Sequence, residues 1–163
     1  MHDDTTLTRR EWLARAASTI GGGLALAAAL PRIGHAWAKP ASITVYKDPS
    51  CGCCTKWVEH LRASGLAPDV HDRSDMDALK DSLGVPAALR SCHTAVAGRY
   101  VIEGHVPAAD IKTLLASHPA NVVGLAVPGM PAGSPGMEMG GRADRYDVIA
   151  FGAKGTTRVF TQH

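Results

Sequence analysis

Residues 43–61 read ITVYKDPSCGCCTKWVEHL, and the fold predicted for the chain rests on this stretch. The first four are β-branched or aromatic, so they predict a short strand, which a Lys-Asp-Pro-Ser turn ends. The apolar residues that follow recur at helical spacing, so a helix should begin around residues 51–53 and end at Gly65. Cys51 and Cys54 then form a C-x-x-C pair at the start of that helix.

The rest of the chain alternates strands and helices before a loop-rich end. The predicted elements are a strand at 69–72, a helix that Ser74 or Asp75 caps and that runs through 79–83, a hairpin with arms at 94–96 and 100–102, a helix opening at Pro107, and a final hairpin with arms at 146–151 and 156–160. This order, with C-x-x-C on the first helix, is the thioredoxin arrangement. We therefore expect an α/β fold: a thioredoxin-like β-α-β-α-β-β-α domain at 39–118 and a Met/Pro/Gly-rich extension at 119–163 that ends in a β-hairpin.

The first 38 residues predict an export signal. Arg9 and Arg10 precede an uncharged apolar run at 20–30, and Ala-Trp-Ala at 36–38 supplies a small-x-small cleavage site. The run is shorter than the roughly 20 residues that a spanning helix needs. An arginine pair here resembles a bacterial twin-arginine signal, so we expect a mature periplasmic chain without membrane insertion. An amphipathic N-terminal helix is the alternative.

The composition argues against nucleic-acid binding and points to soft metal ligands. In 163 residues, 17 Lys and Arg oppose 15 Asp and Glu, and the net charge of +2 includes no basic stripe for a phosphate backbone. The chain carries four Cys, eight His and five Met, but only three Trp, three Tyr and two Phe. The chain is therefore rich in sulfur and imidazole groups and poor in large core residues.

Three of the four cysteines, Cys51, Cys53 and Cys54, lie within four positions. A helix N-terminus favours the thiolate form, which both attacks disulfides and binds metal. A redox C-x-x-C pair does not need Cys53, and one tetrahedral zinc ion does not suit three thiols on one helical turn. Sulfurs that bridge several soft ions could use this crowding. The alternative is a structural disulfide with a spare thiol.

The fold can bring the fourth cysteine, Cys92, to the other three. If Pro86 faced the C-x-x-C motif, Cys92 would lie six residues further on, about 20 Å away at ~3.3 Å per residue. If residues 91–93 take that position instead, the hairpin that follows has matched arms, and we prefer this alignment. The second arm then returns His105 to the same end, while strand alternation directs His93 away from Cys92. Three further histidines, His60, His71 and His118, are expected to lie in solvent.

A methionine-bearing loop, VPGMPAGSPGMEM at 127–139, is the second informative segment. Met130, Met137 and Met139 lie among prolines and glycines, where no regular face can bury them. Thioether sulfur is a soft ligand that selects Cu(I), so the loop could close over the thiolates and exclude water. Capping the sheet is the alternative role. Thiolates, thioethers and imidazole together favour copper over zinc or an iron–sulfur centre.

Three segments together carry a family resemblance: YKDPSCGCC at 46–54, SCHTA with EGHVP at 91–107, and VGLAVPGMP with GME at 123–138. They are similar to the CopG-like family of periplasmic copper-resistance proteins, which a C-x-C-C motif marks and which is also known as domain of unknown function 411. The resemblance implies a cysteine-bridged cluster of several copper ions and interconversion of Cu(I) and Cu(II) alongside copper efflux. The metal ligands it implies are Cys51, Cys53, Cys54, Cys92, His105, Met130 and Met137.

Three functions compete. A copper-binding redox protein would hold copper on the thiolates and change its oxidation state, with periplasmic components of copper efflux as partners. A thiol–disulfide oxidoreductase would use Cys51 as nucleophile and Cys54 as resolving thiol, and would be active without metal. A passive copper store or chaperone would share the ligands but catalyse no electron transfer. We expect the first.

Overall fold

The computed structural model describes residues 42–163, and the predicted export signal lies outside the described residues. Seven strands and three α-helices make up this part of the chain, which confirms the predicted α/β class. Within 42–163, no helix combines the length and the apolar character that crossing a bilayer requires.

The elements follow the chain in the order strand, helix, strand, helix, hairpin, helix and three further strands. The strands are β1 (Ser42–Lys47), β2 (Ala67–Asp72), β3 (His93–Ala97), β4 (Tyr100–Glu103), β5 (Gly124–Ala126), β6 (Asp147–Phe151) and β7 (Thr157–Gln162). The helices are α1 (Gly52–Ala63), α2 (Met76–Ser82) and α3 (Ala108–Ser117). Only β5 has no counterpart among the predicted elements, because three residues are too short to show alternation.

All seven strands form one sheet in the order β2-β1-β3-β4-β5-β6-β7. Two neighbouring pairs, β1 with β2 and β4 with β5, run parallel, and the other neighbours are antiparallel. Residues after 119 therefore do not form a separate layer. They extend the sheet from β4, where Ile102 pairs with Leu125.

Apolar side chains cover both faces of the sheet. Successive residues of a strand point to opposite faces, and in β4 Ile102 belongs to the larger core while Val101 belongs to a smaller one. The larger core takes its bulk from α1 and α3, whose Trp57 and Ile111 are fully buried. The Trp57 indole Nε1 also donates to the Val106 carbonyl at 2.9 Å, which ties α1 to the segment before α3.

One edge of the sheet gathers the residues that carry chemistry. Lys47, at the end of β1, pairs with His93, at the start of β3, and the chain turns from β1 directly into α1. Glu103 ends β4 beside Thr94, so residues 104 and 105 emerge at the same edge. The C-x-C-C motif, Cys92 and His105 are thus placed together by strand register.

Candidate metal centre

A turn before α1 presents the C-x-C-C motif. The Asp48 carboxylate accepts hydrogen bonds from the Ser50 hydroxyl and from the Ser50 backbone N–H, and the second of these is 2.8 Å long. These bonds hold the pKa of Asp48 below its usual value. The Cys51 N–H donates to the Asp48 carbonyl at 3.1 Å, and Cys51 then occupies the N-cap of α1 without capping it through its side chain. The Cys51 sulfur is therefore not used to cap the helix.

The four cysteine sulfurs lie within 4.8 Å of one another. Cys51 and Cys54 are joined as a disulfide, whereas Cys53 and Cys92 are free thiols. The Cys53 Sγ is 3.5 Å from the Cys51 Sγ and 3.9 Å from the Cys92 Sγ. The structure therefore places Cys92 beside the helix thiols, as the alignment with residues 91–93 in the facing position predicts.

His105 joins this group through a fixed orientation. Its Nδ1 donates to the Pro135 carbonyl at 2.8 Å, and its Nε2 is 3.1 Å from the Cys92 Sγ. Because a carbonyl can only accept, the neutral ring carries its proton on Nδ1 and directs the Nε2 lone pair at the sulfur. Metal-binding histidines are commonly oriented in this way, by a second-sphere carbonyl.

His93 also lies beside Cys92, contrary to the prediction from strand alternation. Its Nδ1 is 3.3 Å from the Cys92 Sγ, and its buried ring lies 4.3 Å from the Trp57 ring, centroid to centroid. Alternation does not apply, because Cys92 sits in a bend and β3 begins only at His93. Within residues 42–163, the His93 Nε2 is a buried nitrogen with no hydrogen-bond partner. Cys92, His93 and His105 thus form a second group of potential metal donors.

Burial controls the protonation of these donors. Burial, with a further contribution from neighbouring Cys53, raises the pKa of Cys92 to about 12. Burial lowers the pKa of both His93 and His105. At neutral pH the metal-free site therefore holds a protonated Cys92 thiol beside neutral imidazoles, and an incoming metal ion has to displace the thiol proton. Sulfur with neutral imidazole is a donor set that suits Cu(I) and Zn(II).

A buried ion pair supports the turn that carries Cys92. The Lys80 Nζ lies 2.5 Å from Glu103 Oε1 and donates to the Thr94 hydroxyl at 2.8 Å. The same Glu103 oxygen accepts the Ser91 backbone N–H at 2.7 Å, directly before Cys92. This network was not predicted from the sequence. Its only local signal is a glutamate that ends an otherwise apolar strand.

The methionine-bearing loop contacts the site through its backbone. The Pro135 carbonyl holds His105, and Gly136 lies so close to α1 that a Cβ there would be 2.8 Å from the Cys53 carbonyl oxygen. The predicted methionine ligands differ in exposure: Met137 is half-buried, whereas Met130 is 53% exposed. Met139, which we did not count among the ligands, is 77% exposed.

Of the three other histidines of the predicted domain, two are exposed to solvent and one is half-buried. His71 and His118 are exposed, as expected. His60 is instead half-buried, and its Nε2 accepts the Ala108 backbone N–H at 3.1 Å, at the start of α3. The partner lies 48 residues away in sequence, so no local pattern could have indicated the bond.

Solved structures are similar to this chain in sequence and in architecture. A family model described as "Protein of unknown function, DUF411" matches residues 89–137. A solved structure named "Copper resistance protein copG- Form 2" is 47% identical, covers 77% of this chain and 99% of its own, and superposes with a TM-score of 0.73. A second, named Form 1, is 48% identical, covers 77% and 98%, and has a TM-score of 0.72. No curated protein matches the sequence. At this identity and coverage, the chain belongs to the CopG family of copper resistance proteins.

Proposed function

We propose that this chain binds copper as its substrate in copper resistance, holds several ions on its clustered cysteines, and interconverts Cu(I) and Cu(II). The observation that carries the proposal is the convergence of four cysteine sulfurs within 4.8 Å, next to two histidines. So many sulfurs in so small a volume can bridge several soft ions. The names of the two similar solved structures support copper as the metal.

The proposed ligands have different roles. Cys51, Cys53 and Cys54 would supply bridging thiolates once the disulfide is reduced, and Cys92 would add a fourth. His105 would supply an imidazole nitrogen that the Pro135 carbonyl already orients. The thioethers proposed to complete the set and limit access of water are those of Met130 and Met137.

We also infer a thioredoxin-like arrangement for the first part of the chain and a periplasmic location for the mature protein. The strand order β2-β1-β3-β4, with α1 carrying the cysteines after β1, supports the fold assignment. The location rests on the twin-arginine pattern at residues 9–38. Components of periplasmic copper efflux are the proposed partners.

Copper counting tests the binding. The mature protein is purified anaerobically in reduced form from copper-supplemented cells, and copper per chain is measured. We expect more than one copper ion per chain, and a reduced count in Cys53→Ser, because Cys53 lies between the other sulfurs. A copper content near zero in the wild-type protein would overturn the proposed function.

Electron transfer separates the redox role from passive storage. The rate of Cu(I) oxidation is compared between wild-type protein and Cys53→Ser, each loaded with the same amount of Cu(I). We expect a slower rate in the variant, since removal of a bridging sulfur changes the copper site. Equal rates would remove the redox role and leave a copper store or chaperone.

The Cys51–Cys54 disulfide favours a second candidate, a thiol–disulfide oxidoreductase. In that function Cys51, which is partly exposed, is the nucleophile, and buried Cys54 resolves the mixed disulfide. The candidate predicts disulfide reductase activity in metal-free protein and little effect of Cys53→Ser or Met130→Leu. Insulin reduction by the metal-free protein measures this directly.

A further inference from the structure

The four cysteines fall into two pairs of different chemical state. Cys51 and Cys54 are joined as a disulfide, and Cys53 and Cys92 remain thiols 3.9 Å apart. A cluster that only stored metal would gain nothing from this division, because a disulfide offers no thiolate to a metal ion. The division does suit a site in which one pair of sulfurs gives up electrons and the other pair stays bound to the metal ion.

Cys53 is in contact with both pairs. Its Sγ is 3.5 Å from the Cys51 sulfur on one side and 3.9 Å from the Cys92 sulfur on the other. An ion held by Cys53 and Cys92 would therefore lie next to the Cys51 and Cys54 sulfurs. The histidines beside Cys92 would help Cys53 and Cys92 to hold this ion, since the His105 Nε2 is 3.1 Å from the Cys92 sulfur.

We propose that the Cys51–Cys54 dithiol is the electron donor for copper, reducing Cu(II) to Cu(I) as it closes to the disulfide, while Cys53 and Cys92 retain Cu(I). Two thiols release two electrons and two protons as the S–S bond forms. Two Cu(II) ions each take one electron, and the protons pass to solvent. The product is a soft ion, for which thiolate sulfur is the preferred ligand.

The exposure of the two sulfurs fits a cycle that an external dithiol completes. Cys51 is partly exposed, whereas Cys54 is fully buried in the first turn of α1. A reducing dithiol would attack the Cys51 sulfur, and Cys54 would leave as a thiolate beside the free N–H groups of the helix start, which stabilise it. The second thiol of the reductant then releases Cys51, so the reductant becomes the disulfide and this chain the dithiol.

This inference rests on the proposed copper function and names the source of the electrons. Fully reduced, metal-free protein is mixed anaerobically with two equivalents of Cu(II) and then with a chromogenic Cu(I) chelator. Its disulfides are mapped after alkylation of the remaining thiols. We expect about two Cu(I) per chain, because a disulfide is a two-electron couple, together with a Cys51–Cys54 disulfide and alkylated Cys53 and Cys92.

Two double variants remove equal numbers of thiols and should fail differently. Cys51→Ser with Cys54→Ser should lose Cu(II) reduction and should bind fewer of the Cu(I) ions that are supplied directly, because only Cys53 and Cys92 remain to hold them. Cys53→Ser with Cys92→Ser should still form the Cys51–Cys54 disulfide but lose retention, so that Cu(I) passes at once to the chelator. Disulfide mapping of the wild-type chain tests the inference even if a double variant fails to fold.

The outcomes separate this inference from the function on which it rests. If reduced protein binds copper but the oxidised pair is Cys53–Cys92, or all four thiols survive Cu(II) treatment, the electron-donor role is wrong and copper binding stands. If the reduced protein binds no copper in either oxidation state, both fail together.

Discussion

At the residue scale, the buried charge pair of Lys80 and Glu103 supports the turn that carries Cys92. Both side chains are almost completely buried, and Glu103 also accepts the Ser91 N–H that precedes Cys92. A buried pair contributes little net stability relative to apolar residues of similar size, but loss of one partner leaves the other charge without compensation. The pair therefore matters more for placing Cys92 than for stability as such.

Glu103→Gln should destabilise the protein by about 3–5 kcal/mol, because it leaves the Lys80 ammonium buried without a counter-charge. Lys80→Met combined with Glu103→Gln should recover part of that loss. Urea unfolding of the metal-free, oxidised protein measures both. A Glu103→Gln variant as stable as the wild type would show that the Thr94 hydroxyl and the neutral amide introduced at position 103 are enough to compensate the Lys80 ammonium.

The positions of Cys92 and His105 could be predicted from the sequence, but those of their supporting residues could not. The matched arms of a hairpin and the direction of strand return are properties of the local chain, so they indicate where residues 92 and 105 emerge. Lys80 and Glu103 meet across 23 residues of sequence, and their burial is decided by packing. Whether the cysteines form a disulfide could also not be predicted from the sequence, since C-x-x-C spacing suits both a disulfide and a metal site.

At the element scale, Gly136 allows the methionine-bearing loop at 127–139 to pack closely against α1. Gly136 has φ +86°, and a Cβ there would be 2.8 Å from both the Cys53 carbonyl oxygen and the Trp57 nitrogen. These contacts are with helix backbone, which cannot yield as a flexible side chain can. The loop also carries the Pro135 carbonyl that orients His105.

Gly136→Ala should therefore displace the loop, whereas Gly140→Ala, at φ +72° with open space around it, should add backbone strain alone. We expect about 1–2 kcal/mol of destabilisation from left-handed strain in each, and roughly 1–3 kcal/mol more in Gly136→Ala from the clash. Denaturant unfolding gives both values. Dissociation of Cu(I) into a chelator should also be faster for Gly136→Ala. Equal stability and equal dissociation in the two variants would contradict the contact.

His60 joins two helices in a way that depends on pH. Its Nε2 accepts the first N–H of α3, and burial lowers its pKa. The unfolded state therefore binds the proton more readily, at its ordinary pKa of about 6.5. Stability from this contact is full above that pH and falls as the pH decreases below it.

His60→Gln keeps an acceptor near the same position but cannot titrate. We expect the unfolding free energy of wild type relative to His60→Gln to decrease between pH 7.5 and pH 5, as protonation removes the acceptor and places a cation at a helix N-terminus. Denaturant unfolding across this range measures the difference. Curves that stay parallel would show that His60 gains a proton as easily in the folded state as in the unfolded one.

At the scale of the whole molecule, the last third of the chain completes the sheet. Most observed strands match predicted ones, because their alternation or β-branched content is visible locally. β5 is an exception: Gly124–Ala126 is a strand because β4 and β6 flank it. Gly124 also lacks room for a side chain, since a Cβ there would be 2.1 Å from the Val101 carbonyl oxygen. Such a strand is created by its neighbours and leaves little trace in its own residues.

A chain of residues 39–117 keeps all four cysteines and both site histidines but loses Leu125, Val148 and Phe151, which are fully buried or nearly so. Each such side chain contributes about 1.5–3 kcal/mol on burial, so the three together approach the roughly 5–15 kcal/mol of net stability of a typical domain. We expect this chain to show no cooperative thermal unfolding. A chain that ends at Thr156 loses the edge strand β7, which is mostly exposed, and the His163 contact to Asp110, and it should still unfold cooperatively. If the chain ending at Ser117 folds and binds copper as the complete protein does, the extension is dispensable and the Pro135 contact to His105 is not needed.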